Sequence, residues 1–262
     1  MSEAGTYLIN LTTGGHGVVP PAGRNVVCAA GVTLKTTLHT GGNDTAIIAA
    51  ENSNTTICGC DFQGSNTGSG AKTLDNQQNQ FLILASGGSN ITIEGNSFEN
   101  TWANSAIQFN TDYTGIGASS STAKYNTFSG NPYYGPEVDN GSGITIENNL
   151  STDSPIGVED DDCSSLGPAT SIVVQNNMLQ VKNGDCAVAG NSDCDSAAFI
   201  TGGDYPSGCN YSSNTARGNY CVGSSVQRAQ VDDVSPGGGG TAASYSSDIL
   251  GTDCTCESGS NC

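Results

Sequence analysis

Carboxylates are the residues of this chain best placed to do chemistry, and they recur with a phase. Counted from a repeated Asn position introduced below, Asp75, Asp112, Asp139, Asp161, Asp193 and Asp232 each fall 12 to 16 residues further on. Glu137, Asp160, Asp162, Asp195 and Asp233 flank them. If the segments stack, one edge carries carboxylates about 5 Å apart, each unscreened pair repelling by roughly 0.8 kcal/mol in water. Three chemistries answer that arrangement. Asp is a common turn residue, and the edge is then simply solvated. A hard cation with oxygen ligands neutralises it, so Glu159-Asp160-Asp161-Asp162 and Asp193-Cys194-Asp195 are calcium candidates, although neither has the EF-hand spacing. Finally, like charges held close push one carboxyl towards its protonated form, which makes an acid and a base of a pair. Inverting glycoside hydrolysis needs two carboxyls about 6.5–9.5 Å apart, and two stacked segments span about 9.6 Å. Asp112, Glu137, Asp139 and Asp161 are the candidate catalytic set, with no cofactor required.

The other chemistry-bearing residues are few. Trp102, Tyr113, Tyr125, Tyr133 and Tyr134 cluster between residues 102 and 134, either as a stacking platform for sugars or as covers for loop bases. Lys182, Arg217 and Arg228 are the only cations of the second half; Lys182 and Arg217 are candidate substrate contacts. Lyase chemistry needs a cation against the uronate and a strong base, and a chain of net charge −18 repels polyuronates unless calcium bridges them. A neutral glycan is the easier partner. His16 and His39 lie near no nucleophile turn, so no Ser-His-Asp set is assigned.

The elements that must position these residues repeat. A β-branched pair, a turn residue, an Asn and an apolar residue recur as Ile91-Thr-Ile-Glu-Gly-Asn96-Ser-Phe98, Lys124-Tyr-Asn126-Thr-Phe128, Ile144-Thr-Ile-Glu-Asn-Asn149, Ile172-Val-Val-Gln-Asn-Asn177-Met-Leu179 and Ala216-Arg-Gly-Asn219-Tyr-Cys221. Ile57-Cys-Gly-Cys60-Asp-Phe62 is an earlier copy with Cys in the Asn place. The steps are 36, 30, 23, 28 and 42 residues, which with short strands and no helical pattern predicts a solenoid. Stacked inward Asn side chains bond to the coils above and below, a structural ladder. The longest insertions, 62–80, 110–123 and 180–215, are the loops expected to build a binding face.

Composition bounds the rest. Seven Lys and Arg cannot make a nucleic-acid patch, and no apolar run approaches the roughly 20 residues of a membrane span. Eleven cysteines suit an oxidising compartment, and C-x-C pairs at Cys58/Cys60 and Cys254/Cys256 do not suit zinc. Cys28 and Cys58, 30 residues apart, sit one coil apart, as do Cys163, Cys186 and Cys209 at steps of 23; their connectivity stays open. Met1-Ser2-Glu3-Ala4 carries no signal-peptide pattern, so a mature extracellular domain behind an added Met is the simplest reading. Seven Asn-x-Ser/Thr sequons accompany it.

The repeats, with the opening Val19-Pro-Pro-Ala-Gly-Arg24-Asn-Val-Val-Cys28 and its continuation to Leu34, resemble the right-handed parallel β-helix of the pectin-lyase-like superfamily. The resemblance covers roughly residues 20 to 230 and implies an all-β, single-domain solenoid of about seven or eight coils over 1–233, with 234–262 as a Gly/Ser-rich, Cys-containing tail or cap. Asn110-Thr111-Asp112 and Asp161-Asp162-Cys163 are similar to two polygalacturonase motifs, which implies acid and water-activating roles for Asp112, Asp161 and Asp162. The family's following Gly-His-Gly and its Arg-Ile-Lys are missing from that region. The expectation is a secreted carbohydrate-active protein, more a glycoside hydrolase than a lyase. The alternative is a non-catalytic extracellular β-helix: an adhesin, glycan-binding module or self-assembling fibre subunit with a calcium-bound or solvated acidic edge.

Overall fold

The computed structural model describes residues 3–11, 15–36, 45–64, 80–99, 105–110, 116–129, 134–152, 154, 156–159, 169–180, 197–202, 214–222, 226–231, 244–245, 249–250 and 254–255. Its strands come in triplets. The first three triplets are β1 (Gly5–Leu8), β2 (His16–Val18), β3 (Val26–Val27); β4 (Val32–Lys35), β5 (Thr45–Ala49), β6 (Thr56–Cys58); and β7 (Asp61–Gln63), β8 (Gln80–Ser86), β9 (Thr92–Glu94). Next come β10 (Ser97–Glu99), β11 (Ser105–Asn110), β12 (Thr122–Lys124); and β13 (Thr127–Ser129), β14 (Tyr134–Asp139), β15 (Thr145–Glu147). Then follow β16 (Leu150–Thr152), β17 (Ile156–Glu159), β18 (Val173–Gln175); and β19 (Met178–Gln180), β20 (Ala197–Gly202), β21 (Thr215–Arg217). The last described strands are β22 (Tyr220–Val222), β23 (Val226–Val231), β24 (Ser244–Tyr245), β25 (Ile249–Leu250) and β26 (Cys254–Thr255).

Every third strand joins the same sheet. The first sheet runs β1-β4-β7 and so on to β25, the second β2-β5-β8 to β26, and the third β3-β6-β9 to β24. Neighbouring strands pair in parallel throughout, as in β9–β12 and β10–β13. The expected all-β architecture of stacked parallel strands is what the chain forms, and no helix occurs among the described residues. None is therefore long and apolar enough to cross a membrane.

The repeat explains the stacking. In the third sheet, Thr-Ile-Glu of β9 and β15 and Thr-Ala-Lys of β12 bury only their middle residue, as strand alternation requires. A residue with left-handed backbone then turns the corner: Gly59, Gly95, Tyr125, Asn148, Asn176 and Gly218. The inward Asn follows. Asn126 Oδ1 accepts from the backbone N–H of Asn96 at 3.0 Å and from its Nδ2 at 3.1 Å, while Asn126 Nδ2 donates to the Ile93 carbonyl at 2.9 Å. Asn149, Asn177 and Asn219 repeat the pattern, so each buried amide is satisfied by its neighbours. First-sheet strands then bury Phe62, Phe98 and Phe128, whose rings stack 4.9 and 5.0 Å apart. This aromatic column and the aliphatic rows of all three sheets make one core.

The ladder opens on a disulfide. Cys60 occupies the Asn place, and it bonds Cys28. The pairing suggested by a 30-residue step, Cys28 with Cys58, does not form. Cys58 aligns with Val27 on the half-exposed outer row of β6, whereas Cys60 is fully buried two residues later. Cys163, Cys186 and Cys209 lie outside the described residues.

Candidate functional site

The second sheet breaks the alternation. All of β5, all of β14 and five of the six residues of β11 are buried, so both faces of this sheet are covered. Ala46, Phe81 and Leu84 form an apolar cluster separate from the main core. Leu84, Gln108, Glu137 and Gly157 stand in one register row, so this row lies on the outward side.

On that side the second sheet turns from apolar to polar. Glu137 Oε2 accepts from Gln108 Nε2 at 3.1 Å and from the Ser105 hydroxyl. Asn110 Nδ2 donates to Gln108 Oε1 at 3.1 Å, which places Asn110 and Gln108 on the same face. Asp139, two residues after Glu137, shares the face of Glu137, with its Cα about 6.7 Å further along β14. Glu137 is 2% exposed and Asp139 6%. The next register row continues the polarity: Asn110 aligns with Ser86, and Asp139 with Glu159. Two sequence candidates, Glu137 and Asp139, are thus brought together in a built polar setting, and Glu159 enters through its register position.

The other candidates divide. Tyr134 is fully buried, so it is not an exposed sugar platform: its ring lies over Gly157, where an added Cβ would stand 2.9 Å from Cδ1. Arg217 is on the third sheet rather than the second; its Nε donates to Gln175 Oε1 at 3.0 Å, and Gln175 donates on to Glu147 at 2.7 Å. Trp102, Asp112, Tyr113, Tyr133, Asp160, Asp161, Asp162, Lys182, Asp193 and Asp195 lie outside the described residues. Among the described residues no group of three or more His, Cys, Asp and Glu is placed to hold a metal ion.

Sequence reading missed Ser105 and Gln108, which bond Glu137, and Asn110, which bonds Gln108. Their signal was present as Ser-x-x-Gln-x-Asn on a strand, but it needed the register to be read. Among known proteins, no family model, no curated relative and no solved structure matches the chain.

Proposed function

We propose that the chain is a secreted, carbohydrate-active, right-handed β-helix of seven or eight coils, similar to the pectin-lyase-like superfamily. In this reading it hydrolyses a polysaccharide with Glu137 and Asp139. The observation that carries it is the pairing of two carboxylates on one face of β14, at a backbone spacing of about 6.7 Å. From that backbone spacing the two side chains can hold their carboxyls about 6.5–9.5 Å apart, the separation that leaves room for a water between acid and base. One carboxyl gives its proton to the leaving oxygen as the glycosidic C–O bond breaks. The other takes a proton from the water whose oxygen bonds to the anomeric carbon. Ser105 and Gln108 fix the orientation of Glu137, as a positioned acid–base group requires.

Release of reducing ends from a panel of uncharged polysaccharides tests this. Glu137→Gln and Asp139→Asn are each expected to lower kcat by at least about 100-fold with little change in KM. Turnover that survives both substitutions rejects the assignment. The burial of Glu137 and Asp139 favours one second reading, a non-catalytic extracellular β-helix in which the Ser105–Glu137–Gln108 network only ties β11 to β14. In that case no glycan is cleaved, and Glu137→Gln lowers the thermal midpoint alone.

A further inference from the structure

The outward side of the first sheet carries a second surface, on a different sheet from Glu137 and Asp139. Thr127, Leu150, Met178 and Tyr220 stand in one register row across β13, β16, β19 and β22. Leu150, Met178 and Tyr220 are 40%, 45% and 41% exposed on three consecutive rungs, whereas the exposed Leu8, Val19, Val27 and Ile116 each stand singly, in no shared register row. These four strands read Thr-Phe-Ser, Leu-Ser-Thr, Met-Leu-Gln and Tyr-Cys-Val, without one charged residue, in a chain of net charge −18. Earlier strands of the same sheet carry Lys35, Asp61 and Glu99. Charge therefore marks β4, β7 and β10, and the neutral stretch begins at β13.

An independent observation points to the same place. Tyr125 turns the corner two residues before Thr127 with φ +55°, a region where bulky side chains are strained. The aligned corners of the other rungs use Gly95, Asn148, Asn176 and Gly218, which tolerate it. The Tyr125 side chain is 62% exposed, so packing does not repay the strain. Strain kept without a packing return marks a functional position.

Size and charge choose the occupant. The row from Thr127 to Tyr220 is three strand spacings, about 14 Å, and one or two side chains wide. That is far less than the roughly 800 Å² per partner of a stable protein interface, and two copies of net charge −18 repel each other. A narrow, uncharged polymer fits. Exposed tyrosine rings stack against sugar faces, and Thr127 and Thr152 offer hydroxyls beside them. We infer that this strip, from Tyr125 to Tyr220, binds an uncharged glycan chain and holds it apart from Glu137 and Asp139. The ligand class rests on the carbohydrate reading above; the site does not depend on catalysis.

The test uses the full chain and retention in gels or on particles of cellulose, chitin, xylan and mixed-linkage β-glucan, with polygalacturonate as the charged control. Retention is expected on at least one uncharged polymer and not on the control. Tyr220→Ala and Tyr125→Gly should each weaken it by about three- to tenfold, the worth of one aromatic stacking contact. Tyr125→Gly should leave the thermal midpoint equal or higher, which excludes misfolding as the cause. Glu137→Gln should leave retention unchanged while turnover falls. If the wild type shows no turnover but retention follows Tyr220, the strip stands and the catalytic assignment falls. The strip is rejected by absence of retention on every uncharged polymer, by retention insensitive to both tyrosines, or by retention lost equally in Glu137→Gln. A concentration-dependent dimer abolished by Tyr220→Ala would reject it in favour of a second copy.

Discussion

Cys58 and Cys60 show how far two residues of spacing can separate chemistries. Gly59 between them has φ +72°, and an added Cβ would approach the Cys28 carbonyl oxygen to 3.0 Å, so only Gly turns this corner without strain. The turn sends Cys60 inward to its disulfide and leaves Cys58 a half-buried thiol on the outer row of the third sheet. Its register neighbour is Glu94. Burial first, and the Glu94 charge second, push the Cys58 thiol above its ordinary range, because both disfavour the thiolate. The thiolate is the nucleophile, so alkylation of Cys58 by iodoacetamide in the folded protein should be slow at neutral pH and rise only in alkali. Glu94→Gln removes the repulsion and keeps the burial. Its rate–pH curve, followed by mass spectrometry of the Cys58 peptide, should move to lower pH without reaching that of a free thiol. A superimposable curve would remove Glu94 as a cause.

Among the elements, the Asn ladder and the second sheet differ in how much of them a sequence reveals. The ladder is legible because corner, Asn and Phe follow one another without insertions: Asn96, Asn126, Asn149, Asn177 and Asn219 each sit at a fixed offset from a third-sheet strand. Asn149→Leu keeps the branched shape but leaves the Asn126 backbone N–H and the Ala123 carbonyl without the partners that Asn149 provides. At about 1–3 kcal/mol per buried orphan, the variant should lose about 3 kcal/mol or more in urea denaturation. Thr92→Ala on an outer row should lose about 0.5 kcal/mol or less. Equal losses would show that the ladder is not what holds the rungs. The carboxylate site was only half legible. Offsets counted from the Asn pick out Asp112 and Asp161, 16 and 12 residues on, beside Asp139 at 13. Asp112 and Asp161 lie outside the described residues; in the described register the neighbours of Asp139 are Asn110 and Glu159, at 14 and 10. Connections between first and second sheets vary in length, so sequence offset there is not spatial register. The strands give no correction, because a sheet covered on both faces loses the alternation that marks direction.

At the scale of the whole molecule, the stack behaves as a line of rungs, each stabilised by its neighbours, and a line has ends. A ladder amide needs a rung on each side, so an Asn nearest the end is the one most exposed to fraying. Here the first ladder position is Cys60, and its backbone N–H still donates to Asn96 Oδ1 at 3.0 Å while its sulfur is tied to Cys28 across a separation of 32 residues. Beyond it, β1 is largely exposed and β2 and β3 are only half-buried. The covalent bond therefore does at the end of the stack what the next amide does inside it. Replacing both partners, Cys28→Ser with Cys60→Ser, should cost about 2–4 kcal/mol. In a linear stack that loss should be confined: hydrogen exchange should accelerate in β3, β4 and β6 and stay unchanged from β12 onwards. Cys28→Ser with Cys60→Asn loses the same disulfide but restores an amide that can donate to Asn96 Oδ1 and to the carbonyl of Val26. It should recover part of the protection in β4 and β6. Equal exchange in the two double variants would mean that only the cross-link, and not the continuity of the ladder, secures this end. Acceleration that reaches β12 or beyond would instead mean that the chain unfolds as one cooperative unit.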